Sequence, residues 1–409
     1  MTNLCERDKP ILLVFPYDVM AHYLRCLQLA NYLKAHFSIR FQYSSRYNSF
    51  VTGAGFKTFE SASLDADTVQ RCVSSFDFSW LNYRDLSYLY NEQVKVIKEQ
   101  KADAVLGDMA PTLKMAAEKT GVHYFSLVNG YMSRYYSYVR RMPKSYPLYK
   151  LFNLLPDSLF SYFTNVGEHL FFHDMHRPFS KIRKSANLSP KHSYIQELEG
   201  DVTLLCDLPV LFPQTNLPSN YYFIPPLYHP LGNNECTVVE RLDNDKKTLY
   251  VSMGSTGNWK KVSFLNNPQY RKFNIVTSGD NDGIIKGPNI FSYSFINSSA
   301  LFKIIDLVIC HGGNGTIYQA LAHGIPVLCR THHLEQDYNV DGLERQHVGK
   351  SMDDIKNDNE YPVIIDEWIQ KKGNRQLTFI KDKIAEANNQ FGQIIERVVN
   401  FGLQPHEVS

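Results

Sequence analysis

A strand-turn-helix segment in the C-terminal half has the residue types that bind an anion. Leu307–Cys310 is a buried-strand run, His311 follows it, and Gly312, Gly313 and Gly315 precede a helical pattern. Glycines let the backbone approach a ligand closely, and a helix N-terminus offers unpaired N–H groups and about half a positive charge. The segment therefore predicts an anion site, although an ordinary strand-to-helix turn uses the same glycines.

Two neighbouring motifs make this segment more specific. Ala320–Pro326 reads ALAHGIP, and Glu335–Asn339 reads EQDYN at a predicted helix start. Upstream, Tyr250–Ser255 reads YVSMGS, which predicts a strand that runs into a second turn of small residues. Three spaced motifs in one order are far more specific than one glycine-rich turn.

These motifs resemble the donor site of the family 1 glycosyltransferases, which have the GT-B fold. That signature runs approximately H-G/A-G-x-G-T/S, then A-L-x-x-G-x-P, then D/E-Q-x-x-N, after a V-S-x-G-S strand and turn. The resemblance covers about 90 residues well and the rest of the chain loosely. It implies a nucleotide-sugar donor, and it assigns donor-binding roles to Ser255, Phe295, His311, Gly313, Gly315, Thr316, Gln319, Glu335 and Gln336.

The resemblance also implies which part of the nucleotide-sugar donor each of these residues would contact. The diphosphate would be held by His311, Gly313, Gly315 and Thr316, with Ser255 closing on it from the other side. Glu335 and Gln336 would hydrogen-bond the transferred sugar. Phe295 would lie against the nucleotide base, although packing in the core explains an aromatic residue there equally well.

Gln319 departs from the family pattern. The family usually has a glutamate eight residues after the histidine, where it accepts hydrogen bonds from the ribose hydroxyls. The glutamine can still accept through its carbonyl oxygen, but it carries no charge. Similar enzymes that use dTDP-sugars often lack that glutamate, so the sequence favours UDP and leaves dTDP open.

The N-terminal half supplies candidates for acid–base chemistry. His22 follows the predicted strand Ile11–Phe15, and Asp108 follows the predicted strand Asp103–Leu106. In similar enzymes a histidine takes the acceptor proton and an aspartate orients it, as suits an imidazole that titrates near neutrality. Ala21 and Arg25 replace the usual glycine and proline. The alternatives are a polar surface residue for His22 and a helix cap for Asp108.

Strand-like runs alternate with helical patterns in both halves of the chain. Besides the runs named above, His123–Val128, Thr248–Met253 and Phe273–Thr277 are typical of buried strands. Such alternation predicts an α/β protein with doubly wound, Rossmann-like parallel sheets. Two such domains facing each other across a cleft, the GT-B architecture, would bind ligands at the carboxyl ends of both sheets.

The length of 409 residues favours two domains. We predict an acceptor-binding domain over residues 1–228, a linker over 229–247 and a nucleotide-sugar-binding domain over 248–385. The C-terminal helix over 386–409 would pack back on the first domain. The linker lies at the end of a proline-rich stretch, since six of the nineteen prolines fall between Pro209 and Pro230.

Composition excludes several classes of protein. The net charge of +2 gives no reason to expect a nucleic-acid partner. The seven cysteines have no C-x-x-C spacing, which indicates reduced thiols rather than disulfides or a zinc site. No run reaches the ~18 apolar residues of a spanning helix. We therefore expect a cytoplasmic protein, and attachment to a membrane surface stays open.

No cofactor or metal is expected. The sequences Asp65–Asp67, Asp243–Asp245 and Asp280–Asp282 each read D-x-D, the metal pair of a different glycosyltransferase fold. Each lies in a polar, loop-like stretch, and three occurrences in one chain indicate chance.

The acceptor site is predicted in a tyrosine-rich region. Tyr131–Lys150 contains six tyrosines and five basic residues, and the apolar helical pattern Leu159–Phe171 and the basic residues Lys181, Arg183 and Lys184 follow. The favoured interpretation is a closed pocket for a small aromatic or apolar molecule, with the basic groups solvated outside it. The other interpretation is a face that rests on anionic lipid and takes a lipid-linked acceptor.

The sequence as a whole predicts an inverting, metal-independent glycosyltransferase. His22 would accept the proton, Asp108 would support it, and the helix N-terminus after His311 would stabilise the departing diphosphate. Two other classes were weighed. A non-hydrolysing sugar-nucleotide epimerase shares the fold, and so does a catalytically silent partner protein.

Overall fold

The structure is a computed structural model of the chain. It describes residues 9–75, 77–140, 154, 156–228, 238–254, 257–294, 296, 298–355 and 357–402. The chain divides into two compact units. The first comprises Met1–Leu227 and Ala387–Ser409, and the second comprises Tyr228–Glu386.

The first unit contains a parallel sheet of seven strands in the order β3-β2-β1-β4-β5-β6-β7. Its strands read as short apolar runs because helices cover both faces of such a sheet. Their bounds are β1 Ile11–Pro16, β2 Ser38–Gln42, β3 Lys57–Phe59, β4 Ala104–Asp108, β5 His123–Val128, β6 Val202–Cys206 and β7 Tyr221–Ile224.

The second unit contains a parallel sheet of six strands in the order β10-β9-β8-β11-β12-β13. The bounds are β8 Lys247–Ser252, β9 Phe273–Ser278, β10 Ile290–Tyr293, β11 Leu307–Cys310, β12 Val327–Cys329 and β13 Gly349–Ser351. Both sheets reverse their strand order once, between β1 and β4 and between β8 and β11. Ligands of open α/β sheets bind at such points.

Helices connect the strands in both units. Those of the first unit are α1 Met20–Leu33, α2 Asn48–Gly53, α3 Ala66–Ser74, α4 Tyr83–Glu99, α5 Leu113–Thr120, α6 Asp157–Met175, α7 Arg177–Ser185 and α8 Tyr194–Glu197. Those that follow are α9 Ser298–Leu301, α10 Asn314–Leu321, α11 Leu334–Arg345, α12 Tyr361–Ile369 and α13 Arg375–Gly402. Short 3-10 helices span Gly130–Met132, Val239–Arg241, Trp259–Asn266, Pro268–Lys272 and Asp358–Glu360.

The last helix supplies part of the first unit. Phe391 is buried, and its ring centroid lies 4.2 Å from that of Tyr32 on α1. Near the end of the helix, a Cβ added at Gly402 would overlap the Phe125 ring on β5. Glu396 lies 3.5 Å from His36. The C-terminal turns of α13 therefore pack against the same sheet that begins at Ile11.

The proline-rich stretch is not only a connector. Tyr221–Ile224 forms β7, the edge strand of the first sheet, and pairs in parallel with β6. Pro218 precedes this strand and Pro225 follows it. An edge strand tolerates flanking prolines because it needs ladder hydrogen bonds on only one side. The sequence did not predict this strand, which lies before the predicted linker over 229–247.

Candidate functional site

The reversal of strand order in the first sheet brings two predicted residues together. Asp108 ends β4, and its Cα pairs with Pro16 at the end of β1. His22 lies in the first turn of α1, which begins three residues after β1 ends. Its Nδ1 is 2.8 Å from Oδ1 of Asp108. The sequence predicted this pair from the ends of two parallel strands, and the structure shows it as a contact.

The His22 side chain is partly exposed, and the Asp108 side chain is buried. The His22 side chain is 14% exposed, whereas the Asp108 side chain is fully buried. The edge of the Tyr17 ring meets the histidine, with ring centroids 5.5 Å apart. Among the described residues, none hydrogen-bonds Nε2 of His22. A histidine held at Nδ1 by a buried carboxylate can take a proton at Nε2.

Arg25 completes this group, which was not anticipated. Its Nε donates to Oδ2 of Asp108, and its Nη2 donates to Oδ1. Its Nη1 donates to Oδ1 of Asn129 at 2.6 Å, beyond the end of β5. The arginine is buried. Its presence was read from the sequence only as a departure from the family's proline.

The charges in this group keep Asp108 ionised. Burial alone would raise the pKa of Asp108, but Arg25 and His22 outweigh it and lower the pKa to about 2. A buried carboxylate is stable only with such partners. Burial, followed by the nearby Asp108 charge, raises the pKa of the Cys26 thiol, which is therefore not a nucleophile.

A recess opens at the same edge of the first sheet. Residues at the ends of β1, β2 and β4 and on α4 line it, and most of them are apolar. Tyr17 and Asp18 add polar atoms; the Tyr17 hydroxyl and Oδ1 of Asp18 are buried without a hydrogen-bond partner among the described residues. The recess lies at the same edge of the first sheet as His22.

The reversal of strand order in the second sheet joins the two predicted donor turns. Cys310 at the end of β11 pairs with Ser252 at the end of β8. His311 and Gly254 follow these two strands. A Cβ added at Gly254 or at Gly313 would overlap the His311 ring, and one added at Gly257 would overlap the Met253 carbonyl oxygen. The glycines therefore make room for the imidazole between the two turns.

His311 is a neutral histidine. Burial lowers its pKa to about 4, and His333 acts in the same direction, whereas the Ser252 backbone and Glu335 oppose the shift. At neutral pH the ring therefore offers a hydrogen bond rather than a positive charge. The N-terminus of α10 offers partial positive charge at this turn.

The other residues of the donor motif lie on or beside α10. Gly313 caps this helix at its N-terminus, Gly315 is exposed, and Thr316 is partly exposed in the first turn. Gln319 lies one turn further and is half-buried. The structure thus brings His311, Gly313, Gly315 and Thr316 to one helix end, as the sequence predicted.

The third motif begins α11 and supports the glycine turn. Nδ2 of Asn339 donates to the Gly312 carbonyl at 3.0 Å. Gln336 is buried, and its Oε1 accepts from the His332 backbone at 2.6 Å. Its Nε2 lies 2.9 Å from Nε2 of His333. Glu335 is in the first turn of the same helix and half-buried. Gln336 is therefore engaged with backbone and histidine in this state.

Two predicted donor residues cannot be placed. Ser255 and Phe295 lie outside the described residues. Their roles stay predictions from the resemblance.

The tyrosine-rich region differs from expectation in its basic residues. Arg140 is buried, donates to the Ser133 carbonyl at 2.6 Å and pairs with Glu168. Arg183 is also buried, between Glu197 and Glu118. The expectation that the basic groups are solvated was wrong for these two, because each guanidinium finds a carboxylate inside the fold. Arg141 and Lys144 lie outside the described residues.

The apolar pattern after this region does form a helix, α6. Leu159, Phe163 and Leu170 are exposed on it. They therefore do not line a closed pocket as predicted. No described helix is long and apolar enough to cross a membrane.

The D-x-D sequences have local structural roles. Asp65 caps α3 by accepting from the Thr68 backbone, and Asp67 pairs with Arg46. Asp243 accepts from the Asp245 backbone, and Asp280 from that of Asp282. Among the described residues, no group of three or more histidine, cysteine or acidic side chains is placed to hold a metal ion.

Residues 239–398 match the glycosyltransferase family 28 C-terminal domain. The match spans most of the second unit and most of α13.

Two mycobacterial enzymes are similar over most of the chain. A PGL/p-HBAD biosynthesis rhamnosyltransferase of Mycobacterium bovis (strain BCG / Pasteur 1173P2) is 26% identical over 355 residues, which cover 85% of this chain and 77% of the relative. The PGL/p-HBAD biosynthesis glycosyltransferase Rv2958c of Mycobacterium tuberculosis (strain ATCC 25618 / H37Rv) is 26% identical over 350 residues, which cover 84% and 80%.

Solved structures share the fold at low identity. The spinosyn rhamnosyltransferase SpnG superposes with a TM-score of 0.67 at 13% identity and covers 96% of this chain and 100% of its own. The glycosyltransferase VinC, solved in complex with DTDP, has a TM-score of 0.65 at 13% identity and covers 96% and 99%. These similarities establish the GT-B architecture.

The donor motifs indicate a glycosyltransferase. The fold, the matched domain and the relatives indicate the same class of enzyme. The protein transfers a sugar from a nucleotide-sugar donor to a glycosyl acceptor. The protein is a glycosyltransferase with the GT-B fold, and its donor motifs resemble those of the family 1 glycosyltransferases.

Proposed function

We propose that this protein is an inverting glycosyltransferase in which His22 takes the proton of the acceptor hydroxyl. The observation that carries this proposal is the contact between Nδ1 of His22 and the buried Asp108 at 2.8 Å. It fixes the ring and leaves Nε2 as the basic atom. One general base that activates an acceptor for direct displacement is what inversion requires. A second carboxylate that would form a covalent intermediate is not needed.

The donor diphosphate is assigned to the second unit. The N-terminus of α10 would stabilise the charge that develops on the leaving diphosphate, and His311 would donate a hydrogen bond as a neutral ring. Asn339 holds the Gly312 carbonyl and so supports the turn. These groups do the work that a divalent ion does in other transferases, so we propose transfer without a metal.

We propose a dTDP-linked deoxysugar as the donor, with rhamnose the first candidate. Gln319 removes the carboxylate that usually accepts from the ribose, and UDP recognition loses that contact. One relative is a rhamnosyltransferase by name, and VinC is described with DTDP. The preference for UDP drawn from the sequence therefore gives way to dTDP, with UDP as the alternative.

The acceptor is proposed to be a small aromatic or apolar molecule with a hydroxyl group. The mostly apolar recess near Tyr17 supports this class. The exposed apolar residues of α6 favour the second possibility, a lipid-linked acceptor taken at a membrane surface. Salt-sensitive co-sedimentation with anionic vesicles would support the second and not the first.

A donor panel tests the proposal. The purified chain is incubated with dTDP-rhamnose, dTDP-glucose or UDP-glucose and a set of hydroxylated aromatic compounds, and products are analysed by NMR. We expect transfer from a dTDP-sugar with an anomeric configuration opposite to that of the donor. Retention of configuration, or transfer from UDP-glucose alone, would contradict the proposal.

The same assay distinguishes the rival classes. Release of free nucleotide only when an acceptor is present indicates a transferase, whereas conversion of the donor without acceptor indicates an epimerase. A silent partner protein would bind nucleotide and release none. EDTA should not change the rate, and loss of transfer that Mg²⁺ or Mn²⁺ restores would overturn the metal-independent mechanism.

A further inference from the structure

The guanidinium of Arg25 contacts Asp108, Asn129 and His22. It makes two hydrogen bonds to Asp108 and one to Asn129, and its Nη2 lies 3.3 Å from Nδ1 of His22. Asn129 donates in turn to the Tyr131 hydroxyl at 2.7 Å. Arg25 lies three residues after His22, so both side chains project from the same face of α1.

Nδ1 of His22 therefore has two neighbours that make opposite demands. A carboxylate only accepts hydrogen bonds and a guanidinium only donates them. If Nδ1 carries the proton, it donates to Asp108 and Nε2 is the basic atom. If Nδ1 is bare, it accepts from Arg25, and Nε2 carries the proton and cannot act as a base.

The geometry favours the first state. Oδ1 of Asp108 is 2.8 Å from Nδ1, closer than Nη2 of Arg25 at 3.3 Å. Because Arg25 binds both oxygens of the carboxylate, Asp108 cannot rotate away from the histidine. The arginine thus fixes the acceptor that the Nδ1 proton needs.

The charge of Arg25 has a second effect on the ring. Arg25 and Asp108 together are neutral, so His22 faces a neutral pair and not a lone buried anion. Other titratable groups on the surrounding elements are the Cys26 thiol 3.8 Å from Oδ2 of Asp108, the Tyr17 ring, the Asp18 carboxyl in the recess and the more distant Cys206 thiol. Burial raises the pKa of both thiols. A positive charge near a histidine opposes its protonation.

We propose, on the basis of the function proposed above, that Arg25 is a positioning residue that sets the tautomer and the protonation of His22. It holds Asp108 in place to accept from Nδ1, which leaves the Nε2 lone pair free for the acceptor proton, and its positive charge opposes protonation of the ring.

Nitrogen NMR of the histidine rings tests this assignment without a substrate. The full chain is labelled with ¹⁵N-histidine, and the His22 signals are identified by their loss in His22→Gln. In the wild type we expect the tautomer with hydrogen on Nδ1. In Arg25→Met the midpoint of the His22 titration should rise by about one pH unit or more. Arg25→Lys keeps the positive charge, so its midpoint should lie close to that of the wild type.

Arg183→Lys is the matched control, because it alters the arginine of another buried histidine–carboxylate–arginine group in the same unit. It should leave the His22 signals unchanged. A wild-type ring with hydrogen on Nε2 would overturn the proposal, and so would a midpoint in Arg25→Met equal to that of the wild type. The wild-type tautomer can overturn the proposal even if Arg25→Met does not fold, and Arg25→Lys then measures the effect of the arginine on the ring.

Kinetics separate this inference from the proposed function. With dTDP-rhamnose or the best donor of the panel, the acid limb of kcat/KM in Arg25→Met should move up by the same amount as the NMR midpoint. A purely structural role would lower the rate equally at all pH values. If His22→Gln retains wild-type transfer, the proposed base is wrong. If His22→Gln is inactive and the limb in Arg25→Met does not move, only the role of Arg25 is wrong.

Discussion

The first unit contains two buried groups built from the same three residue types. In one, His22 and Arg25 bind Asp108; in the other, His176 and Arg183 bind Glu197. In each group one carboxylate oxygen accepts from both the histidine and the arginine, and the other oxygen accepts from the arginine and not from the histidine. Burial would raise the pKa of both carboxyls, but the cations lower it.

The two groups differ in what surrounds the histidine. The His176 side chain is 3% exposed and stacks on Phe179, with ring centroids 6.0 Å apart. The His22 side chain is 14% exposed and lies at the edge of the sheet that carries the recess. Arg183 is also bound by a second carboxylate, Glu118, whereas Arg25 is bound by the amide of Asn129.

The residue types in such a group therefore do not distinguish a chemical site from a structural one. A histidine–carboxylate–arginine group becomes a candidate for proton transfer when a ring nitrogen can meet a ligand and the group lies where parallel strands end. Without that access the same contacts only hold helices together. Three experiments test this distinction.

The largest effect is expected from the histidines. His22→Gln should lower turnover by ~10²-fold or more because it removes the proton acceptor, while the melting temperature changes little. His176→Gln should lower the melting temperature and leave turnover per folded molecule near that of the wild type. Turnover and thermal melts of both variants check this. Equal losses of turnover would show that the two groups are not functionally different.

A second effect is expected from the arginine of the enclosed group. Arg183→Met leaves the buried Glu197 with His176 as its remaining side-chain partner in this group and removes the partner of Glu118. Removing one partner of a buried ion pair costs about 3–5 kcal/mol of unfolding free energy. Urea denaturation at pH 7 measures the change. A loss below about 1 kcal/mol would mean that the group relaxes or admits water, and its classification as a structural group would fail.

The smallest effect extends the comparison to His311, a histidine without a carboxylate partner at its ring. Gly313→Ala places a Cβ against that ring, which costs about 1–3 kcal/mol of stability through overpacking. Gly315→Ala is the matched control for stability, since a Cβ there meets no atom within 4 Å. Thermal melts should show a lower melting temperature for the first variant alone. Adding His311→Ala to Gly313→Ala should recover part of the loss, and no recovery would contradict the steric explanation.

The sequence predicted the fold well where strands are long and apolar. His123–Val128 and Leu307–Cys310 have the bounds predicted for them. The strands that were not predicted, β3, β6, β7 and β13, are short, flanked by prolines or lacking a local pattern that distinguishes them from loops. Their strand state depends on pairing with neighbours far along the chain, which a local pattern does not contain.

The sequence predicted the candidate site only in part. His22 and Asp108 were found because both follow buried strands, and the donor turn because its motif is compact. Arg25 was not recognised, since its partners lie 83 and 104 residues away. The sequence predicted solvated cations at Arg140 and Arg183, and this was wrong because their carboxylate partners lie elsewhere in the chain. Arg140 pairs with Glu168, and Arg183 pairs with Glu118 and Glu197. Side-chain partners of this kind are set by tertiary structure.

The packing of the last helix has a consequence for synthesis on the ribosome. The first unit needs the turns of α13 from Ala387 onward, among them Phe391 against Tyr32. All residues of the second unit emerge before those turns are made. During synthesis the surface of the first unit that α13 covers therefore stays exposed while the second unit is made. It is covered only when the residues from Ala387 onward emerge. Stop codons before Ala387 would leave the His22 unit unfinished although every residue of its sheet is present.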